Sequence, residues 1–171
     1  MSSSHRIRRQ YLVRQAEGYL ELGMSQHALD TLDRLGDLES LPSHALYLRG
    51  EALREMGKFE EAVVPLKRAS DAAPSNIHVW LALGWCYKRT GRIDRAIESL
   101  EEALQVDPAQ ALIHYNLACY WSLAGNKRQA LLFLSQALDM DPDYRDKVGN
   151  EPDFDPIRTD PGFRALTSVI V

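Results

Sequence analysis

Cysteines and long apolar runs are scarce in this chain of 171 residues. Its two cysteines, Cys86 and Cys119, are too few for a disulfide framework and suit a reducing compartment. No apolar stretch approaches the ~20 residues of a membrane-spanning helix. The basic N-terminal segment, MSSSHRIRRQ, is not followed by the apolar core of a secretory signal. We therefore expect a cytoplasmic protein that does not insert into membranes.

Long runs of one charge sign are missing as well. The net charge is −4, and charged residues make up 26% of the chain. Because nucleic-acid binding needs a concentrated basic face, this balance predicts no nucleic-acid partner. A basic cluster near the start, Arg6, Arg8, Arg9 and Arg14, is either an interaction patch or a solvated first helical turn behind a frayed tail. We favour the second interpretation, because short basic runs are common on solvated helices.

The residue patterns of catalytic and metal sites are also absent from the sequence. It contains no Gly-rich phosphate loop, no nucleophile elbow and no Cys or His pair at zinc-ligand spacing. His44 and His78 occupy equivalent positions 34 residues apart, but two ligands are too few for a structural zinc site. We therefore predict no cofactor, no metal and no enzymatic activity.

A period of 34 residues runs through most of the chain. Three residue types mark it: Gly23, Gly57, Gly91 and Gly125; Ala28, Ala62, Ala96 and Ala130; Leu32, Leu66, Leu100 and Leu134. A fixed period of this length indicates one structural unit stacked on copies of itself.

Each period is predicted to form two helices, as its third copy illustrates. Ser75 or Asn76 caps a first helix that extends from His78 to Arg89, and Gly91 ends it because glycine accepts the left-handed conformation. A second helix opens at Asp94 and ends before Pro108. The short turns predict antiparallel pairs, and small residues such as Gly50 and Ala62 predict close approach of the paired helices.

These copies resemble the tetratricopeptide repeat. The third copy has the pattern Trp80-x-x-Leu83-Gly84-x-x-Tyr87, followed by Ala96, Leu100, Ala103 and Pro108. The fourth copy follows the pattern closely, whereas the first is a degenerate copy. The resemblance implies an all-α fold, a right-handed α-solenoid of antiparallel helix pairs, and it suggests a bacterial protein.

The predicted organisation has three parts. Residues 1–8 form a flexible N-terminus, and residues 9–142 contain four repeat units, at 9–42, 43–76, 77–110 and 111–142. Residues 143–171 form a C-terminal capping segment, in which Asp155-Pro156 and Asp160-Pro161 have the pattern of helix N-termini. Four apolar residues of this segment are spaced to cover the exposed end of the last repeat: Phe154, Ile157, Phe163 and Leu166.

The resemblance also implies where a partner binds, because the first helix of each unit lines the concave face in this family. Ten candidate binding residues follow: Tyr47, Arg54, His78, Leu81, Trp85, Lys88, Arg89, Tyr115, Asn116 and Cys119. Trp85 either anchors a partner side chain in this groove or packs into the junction between repeats. Arg54, Lys88 and Arg89 are candidate cations for an acidic ligand.

The predicted function is non-catalytic protein–protein interaction, with a peptide or helix held in the concave groove. Two alternatives remain open at this point. The first is a secretion-type chaperone that holds one client protein, and the second is a structural subunit that associates with itself. The sequence identifies neither the partner protein nor the oligomeric state, although a monomer is slightly favoured.

Overall fold

The computed structural model describes residues 3–168, with side chains from His5 onward, and every regular element in that range is helical. The α-helices are α1 (Ser3–Glu21), α2 (Ser25–Asp33), α3 (Ser43–Glu55), α4 (Phe59–Ala72), α5 (Ile77–Arg89), α6 (Ile93–Val106), α7 (Ala111–Leu123), α8 (Lys127–Met140), α9 (Tyr144–Val148) and α10 (Pro161–Thr167). Short 3-10 helices cover Leu38–Ser40 and Pro152–Ile157. The predicted all-α class is confirmed. None of the described helices has the length and apolarity that crossing a membrane requires.

The helices fall into two compact units, one ending at Thr90 and the other beginning at Gly91. In the first unit, α1 packs on α2, α2 on α3, α3 on α4, and α4 on α5. The first helices of successive pairs also touch, since α3 contacts both α1 and α5. In the second unit, α7 contacts α6, α8 and the 3-10 helix Pro152–Ile157.

The turns marked by the four repeated glycines have the conformation that glycine predicts. Gly23, Gly57, Gly91 and Gly125 have φ of 70°, 75°, 75° and 77°, a left-handed region that costs other residues roughly 1 kcal/mol or more. At Gly57 the chain then reverses, and the backbone N–H of Lys58 donates to the carbonyl of Leu53 at 2.9 Å. The repeated glycine therefore ends the helix that precedes it.

Small residues let the paired helices of the first unit pack closely. Ala28 and Ala62 are fully buried, and so are Leu32 and Leu66, the leucines of the same period. Gly50 of α3 lies against Leu66 of α4, where an added Cβ would lie 2.5 Å from the Leu66 Cδ2 atom. The predicted close approach at Gly50 is confirmed, and Leu66 is the side chain that fills the space.

The N-terminal segment differs from its prediction. A flexible terminus is predicted for residues 1–8, but α1 begins at Ser3, so residues 3–8 form the start of this helix. No proline or glycine interrupts this stretch. The helix is fastened one turn later, because the Arg9 guanidinium donates to the carbonyls of Leu35 and Ser40, each at 2.9 Å. Residues 1 and 2 lie outside the described residues.

The C-terminal segment packs apolar side chains against the second unit. Phe154, Ile157 and Phe163 are buried, and Leu166 is half-buried. The Phe154 and Phe163 rings lie 5.5 Å apart between centroids. Residues 169–171 of the predicted capping segment lie outside the described residues.

The two aspartate–proline pairs of this segment behave differently. Asp160 caps α10 as predicted, since its carboxylate accepts hydrogen bonds from the backbone N–H groups of Gly162 (2.8 Å) and Phe163 (3.3 Å). The prediction for Asp155 is wrong, because Asp155 lies inside the 3-10 helix and accepts from Arg158 at 2.9 Å. Glu151 caps that helix instead, accepting from the Asp153 N–H, and Pro152 follows it.

Two helical glycines should respond to alanine in opposite directions. Gly50→Ala forces a Cβ into Leu66, so we expect about 1–2 kcal/mol of destabilisation after the gain in helix propensity is subtracted. Gly18→Ala is the matched control, because no atom lies within 4 Å of its added Cβ, and it should stabilise by about 0.5–1 kcal/mol. Urea unfolding measures both, and stabilisation by Gly50→Ala would contradict the packing.

The ion pair that joins α10 to α8 should make stability depend on pH. The Lys127 ammonium lies 2.8 Å from the Asp160 carboxylate, and this hydrogen bond is the main cause that lowers the pKa of Asp160 below its ordinary value of 3.8. Asp160→Asn keeps a cap acceptor but loses the charge. Wild type should therefore be more stable than the variant above pH 3.8, and the difference should vanish as pH falls through the lowered pKa.

Urea unfolding of wild type and Asp160→Asn across this pH range measures the difference, and Lys127→Met should reproduce it because it removes the other partner. A stability difference between wild type and Asp160→Asn that is the same at neutral and at acidic pH would contradict the ion-pair origin.

Candidate functional site

A concave pocket of about 230 Å³ lies in the first unit, where α3 and α5 run beside each other. Three of its lining residues come from α3 and four from α5: Tyr47, Glu51, Arg54, His78, Leu81, Ala82 and Trp85. The spacing of three or four residues places each set on one face of its helix. The pocket is therefore built by the first helices of two successive pairs.

Trp85 forms the most exposed apolar wall of this pocket. It follows buried Gly84 and precedes buried Cys86, so it points away from the core face of α5, and 40% of its surface is exposed. The Lys88 ammonium lies over the indole, 5.3 Å from the ring centroid. Leu81, one turn earlier on α5, is half-buried and extends the same wall. The first unit thus presents an aromatic surface to solvent.

The charged side chains on the α3 side of the pocket pair with each other. The Arg54 guanidinium donates two hydrogen bonds to the Glu51 carboxylate, each at 2.8 Å, and this hydrogen bonding raises the pKa of Arg54. Burial, followed by the nearby Glu51 charge, raises the pKa of Tyr47 to about 12. At neutral pH this wall therefore carries a neutral phenol beside a paired cation and anion.

The remaining first-unit candidates lie at or outside the edge of the pocket. Lys88 covers part of the Trp85 ring. Arg89 stacks its guanidinium on the Phe59 ring of α4, 4.9 Å from the centroid, and does not line the pocket. Arg54 pairs with Glu51, so all three predicted cations contact other residues of the protein.

The three candidates of the second unit lie in a different environment. Tyr115 and Cys119 of α7 are buried, and Asn116 is half-buried. The Tyr115 ring stacks on Tyr144, with 4.6 Å between centroids, and meets the edge of Phe154 at 5.8 Å. Tyr115 and Cys119 are predicted from the sequence to be binding residues of the concave face. The C-terminal segment covers them instead, so we leave both out of the proposed binding site.

Glu51 is a pocket residue that the ten candidates lack. It lies three residues before Arg54, a spacing at which opposite charges pair on a helix. This spacing is the sequence feature from which Glu51 could have been predicted.

A second cavity of about 660 Å³, lined mostly by charged residues, lies beside the 3-10 helix Leu38–Ser40. Its arginines are also paired, Arg49 with Asp33 and Arg68 with Glu39.

Two family models described as tetratricopeptide repeat match this chain. One matches residues 13–77, and the other matches residues 53–118 and 90–148. No curated protein matches the chain by sequence.

Several solved structures share the fold. MamA from Desulfovibrio magneticus RS-1 is 21% identical with a TM-score of 0.71, and the match covers 79% of this chain and 76% of that one. YrrB, described as a TPR protein with an unusual peptide-binding site, is 23% identical with a TM-score of 0.69, and the match covers 75% and 66% of the two chains. TTC0263, a protein of Thermus thermophilus, is 21% identical with a TM-score of 0.64, covering 93% and 86%.

At these identities the solved structures show a shared fold, and the family models cover more than half of the chain. The chain therefore belongs to the tetratricopeptide repeat family of protein–protein interaction modules, whose fold is an α-solenoid of helix pairs.

Proposed function

We propose that this protein is a non-catalytic interaction module that holds a peptide segment or helix of a partner protein in its concave groove. The observation that carries the proposal is the pocket of the first unit, with the half-exposed indole of Trp85 as its wall. Exposed tryptophans beside a concavity are frequent centres of binding energy, because they bury a large rigid surface at low entropic cost.

The size of the pocket favours one side chain over a small-molecule ligand. Its volume of about 230 Å³ lies below the ~300–1000 Å³ that is typical of ligand and cofactor pockets. A single apolar side chain of a partner, laid against Trp85 and Leu81, fits this space. The rest of the partner segment would then lie along α3 and α5.

The polar rim supplies selectivity in this proposal. The Glu51–Arg54 pair offers the partner both an acceptor and a donor without adding net charge. Lys88 beside Trp85 adds a cation at the exposed edge. A partner segment with an apolar anchor and a polar or acidic neighbour would therefore match the pocket better than a basic segment.

The description of YrrB as a protein with a peptide-binding site supports this use of the fold.

The chaperone and self-association alternatives predict different behaviour of the purified protein. A secretion-type chaperone would co-purify with one client in a fixed ratio. A self-associating subunit would increase in mass with concentration in light scattering.

Trp85→Ala should abolish most of the binding. The probe is a peptide selected on the intact folded protein from a displayed random library, with its affinity measured by fluorescence anisotropy. Loss of a tryptophan hot spot costs about 2 kcal/mol or more, so we expect the Kd of the peptide to rise roughly 30-fold.

Tyr11→Ala is the matched control, because Tyr11 is an aromatic residue on α1 of the same unit, is 65% exposed and lies outside the pocket. Its Kd should stay within about twofold of wild type, as expected for a residue outside an interface. Helical circular dichroism checks that both variants fold. A folded Trp85→Ala that binds the selected peptides as tightly as wild type would rule out the pocket as the site.

A further inference from the structure

Three potential metal ligands converge under the C-terminal segment of the second unit. Cys119 of α7, Glu151 and Asp153 place one ligand atom each, a thiol sulfur and two carboxylate oxygens, within 4.8 Å of one another. Cys119 and Asp153 are buried, and Glu151 is half-buried. The sequence separates Cys119 from the two carboxylates by about thirty residues, so only the fold brings them together.

The hydroxyl of Tyr115 lies within electrostatic range of this cluster. Tyr115 lies four residues before Cys119, on the same face of α7, and only 6% of it is exposed. Among the described residues its hydroxyl has no hydrogen-bond partner. Cys119, Glu151 and Asp153 all interact electrostatically with this hydroxyl. The Tyr115 ring contacts both Tyr144 and Phe154, and these contacts fix its position.

Two features of this arrangement are energetically unfavourable, and one bound cation would relieve both. A buried hydroxyl without a partner is unfavourable, because it has lost its hydrogen bonds to water. Two carboxylates beside a thiol repel one another when ionised in a partly buried site. A divalent cation at their centre would accept the hydroxyl oxygen as a ligand and compensate the negative charges.

We propose that Cys119, Glu151, Asp153 and the Tyr115 hydroxyl form a structural site for a divalent transition-metal ion of the zinc type. A thiolate ligand favours such an ion over magnesium or calcium, which prefer all-oxygen sites. On binding, the Cys119 thiol releases its proton to solvent, and its sulfur forms a bond to the metal.

The cluster needs only a small contraction to hold this ion. Around tetrahedral zinc, with Zn–S of about 2.3 Å and Zn–O of about 2.1 Å, neighbouring ligand atoms lie roughly 3.5 Å apart. The ligand atoms of Cys119, Glu151 and Asp153 lie up to 4.8 Å apart, so side-chain movements of about 1 Å would bring them to ligand spacing.

The backbone that carries the carboxylates is already fixed. Glu151 accepts the Asp153 N–H at 3.2 Å, and Arg158 donates to the carbonyls of Glu151 (2.7 Å) and Gly149 (3.0 Å). A metal bound here would link this segment directly to α7.

Metal binding by the full-length protein tests the site, with Zn²⁺ and Co²⁺ alone as probes. We expect one Zn²⁺ per chain with micromolar or tighter affinity, and an upward shift of Tm by several degrees when Zn²⁺ replaces a chelator. Co²⁺ should give the thiolate-to-cobalt charge-transfer absorption. The absence of both the absorption and tight Zn²⁺ binding would overturn the proposal.

The two cysteines provide a matched pair of variants. Cys119→Ala should lose the charge-transfer band, whereas Cys86→Ala should keep it, because Cys86 is a buried thiol of α5 in the first unit. An unchanged band in Cys119→Ala would also overturn the proposal.

Two milder variants keep the test decisive even where Cys119→Ala does not fold. Glu151→Gln retains the acceptor for the Asp153 N–H and should keep the band while weakening affinity tenfold or more. Tyr115→Phe should weaken Zn²⁺ affinity to a similar extent, yet leave Tm with chelator unchanged or higher, since it removes an unpartnered hydroxyl. Wild-type affinity in either variant would overturn the four-ligand set.

Discussion

The close packing of the first helix on the second in the pairs α1–α2, α3–α4 and α7–α8 is the contact on which the other features depend. The alanines Ala28, Ala62 and Ala130 are fully buried in their pairs, and Gly50 leaves room only for the Leu66 side chain. Larger residues at these positions would separate the helices and disturb the turn between them. Because the paired helices are fixed, α3 and α5 of the first unit lie side by side and enclose the pocket.

The sequence predicts features that depend on local chemistry. A glycine at the end of a helix specifies a left-handed residue, and Gly23, Gly57, Gly91 and Gly125 all have positive φ. Asp160 before Pro161 specifies a capped helix start, and the cap forms. The helix bounds follow for the same reason, as with α5, predicted at 78–89 and observed at Ile77–Arg89. Each of these features is decided by a few neighbouring residues.

Features that depend on distant residues were predicted less well. Tyr115 and Cys119 occupy groove positions in the repeat pattern, but the chain after Pro142 has no period that would reveal how it covers α7. Asp155-Pro156 has the same local pattern as Asp160-Pro161. The 3-10 helix nevertheless begins earlier, at Pro152, so Glu151 and not Asp155 caps it. The pairing of Arg54 with Glu51 was accessible from spacing alone, whereas the stacking of Arg89 on Phe59 required the packing of α4 on α5.

The turn glycines also limit how a protein of this kind changes length during evolution. Each turn glycine has nearly the same φ, between 70° and 77°, and follows the end of a helix. Inserting one residue in a helix would rotate its buried alanine away from its partner by about 100°. Duplicating or deleting a whole period of 34 residues leaves every turn and every buried position unchanged. Variation in length is therefore expected in whole repeats.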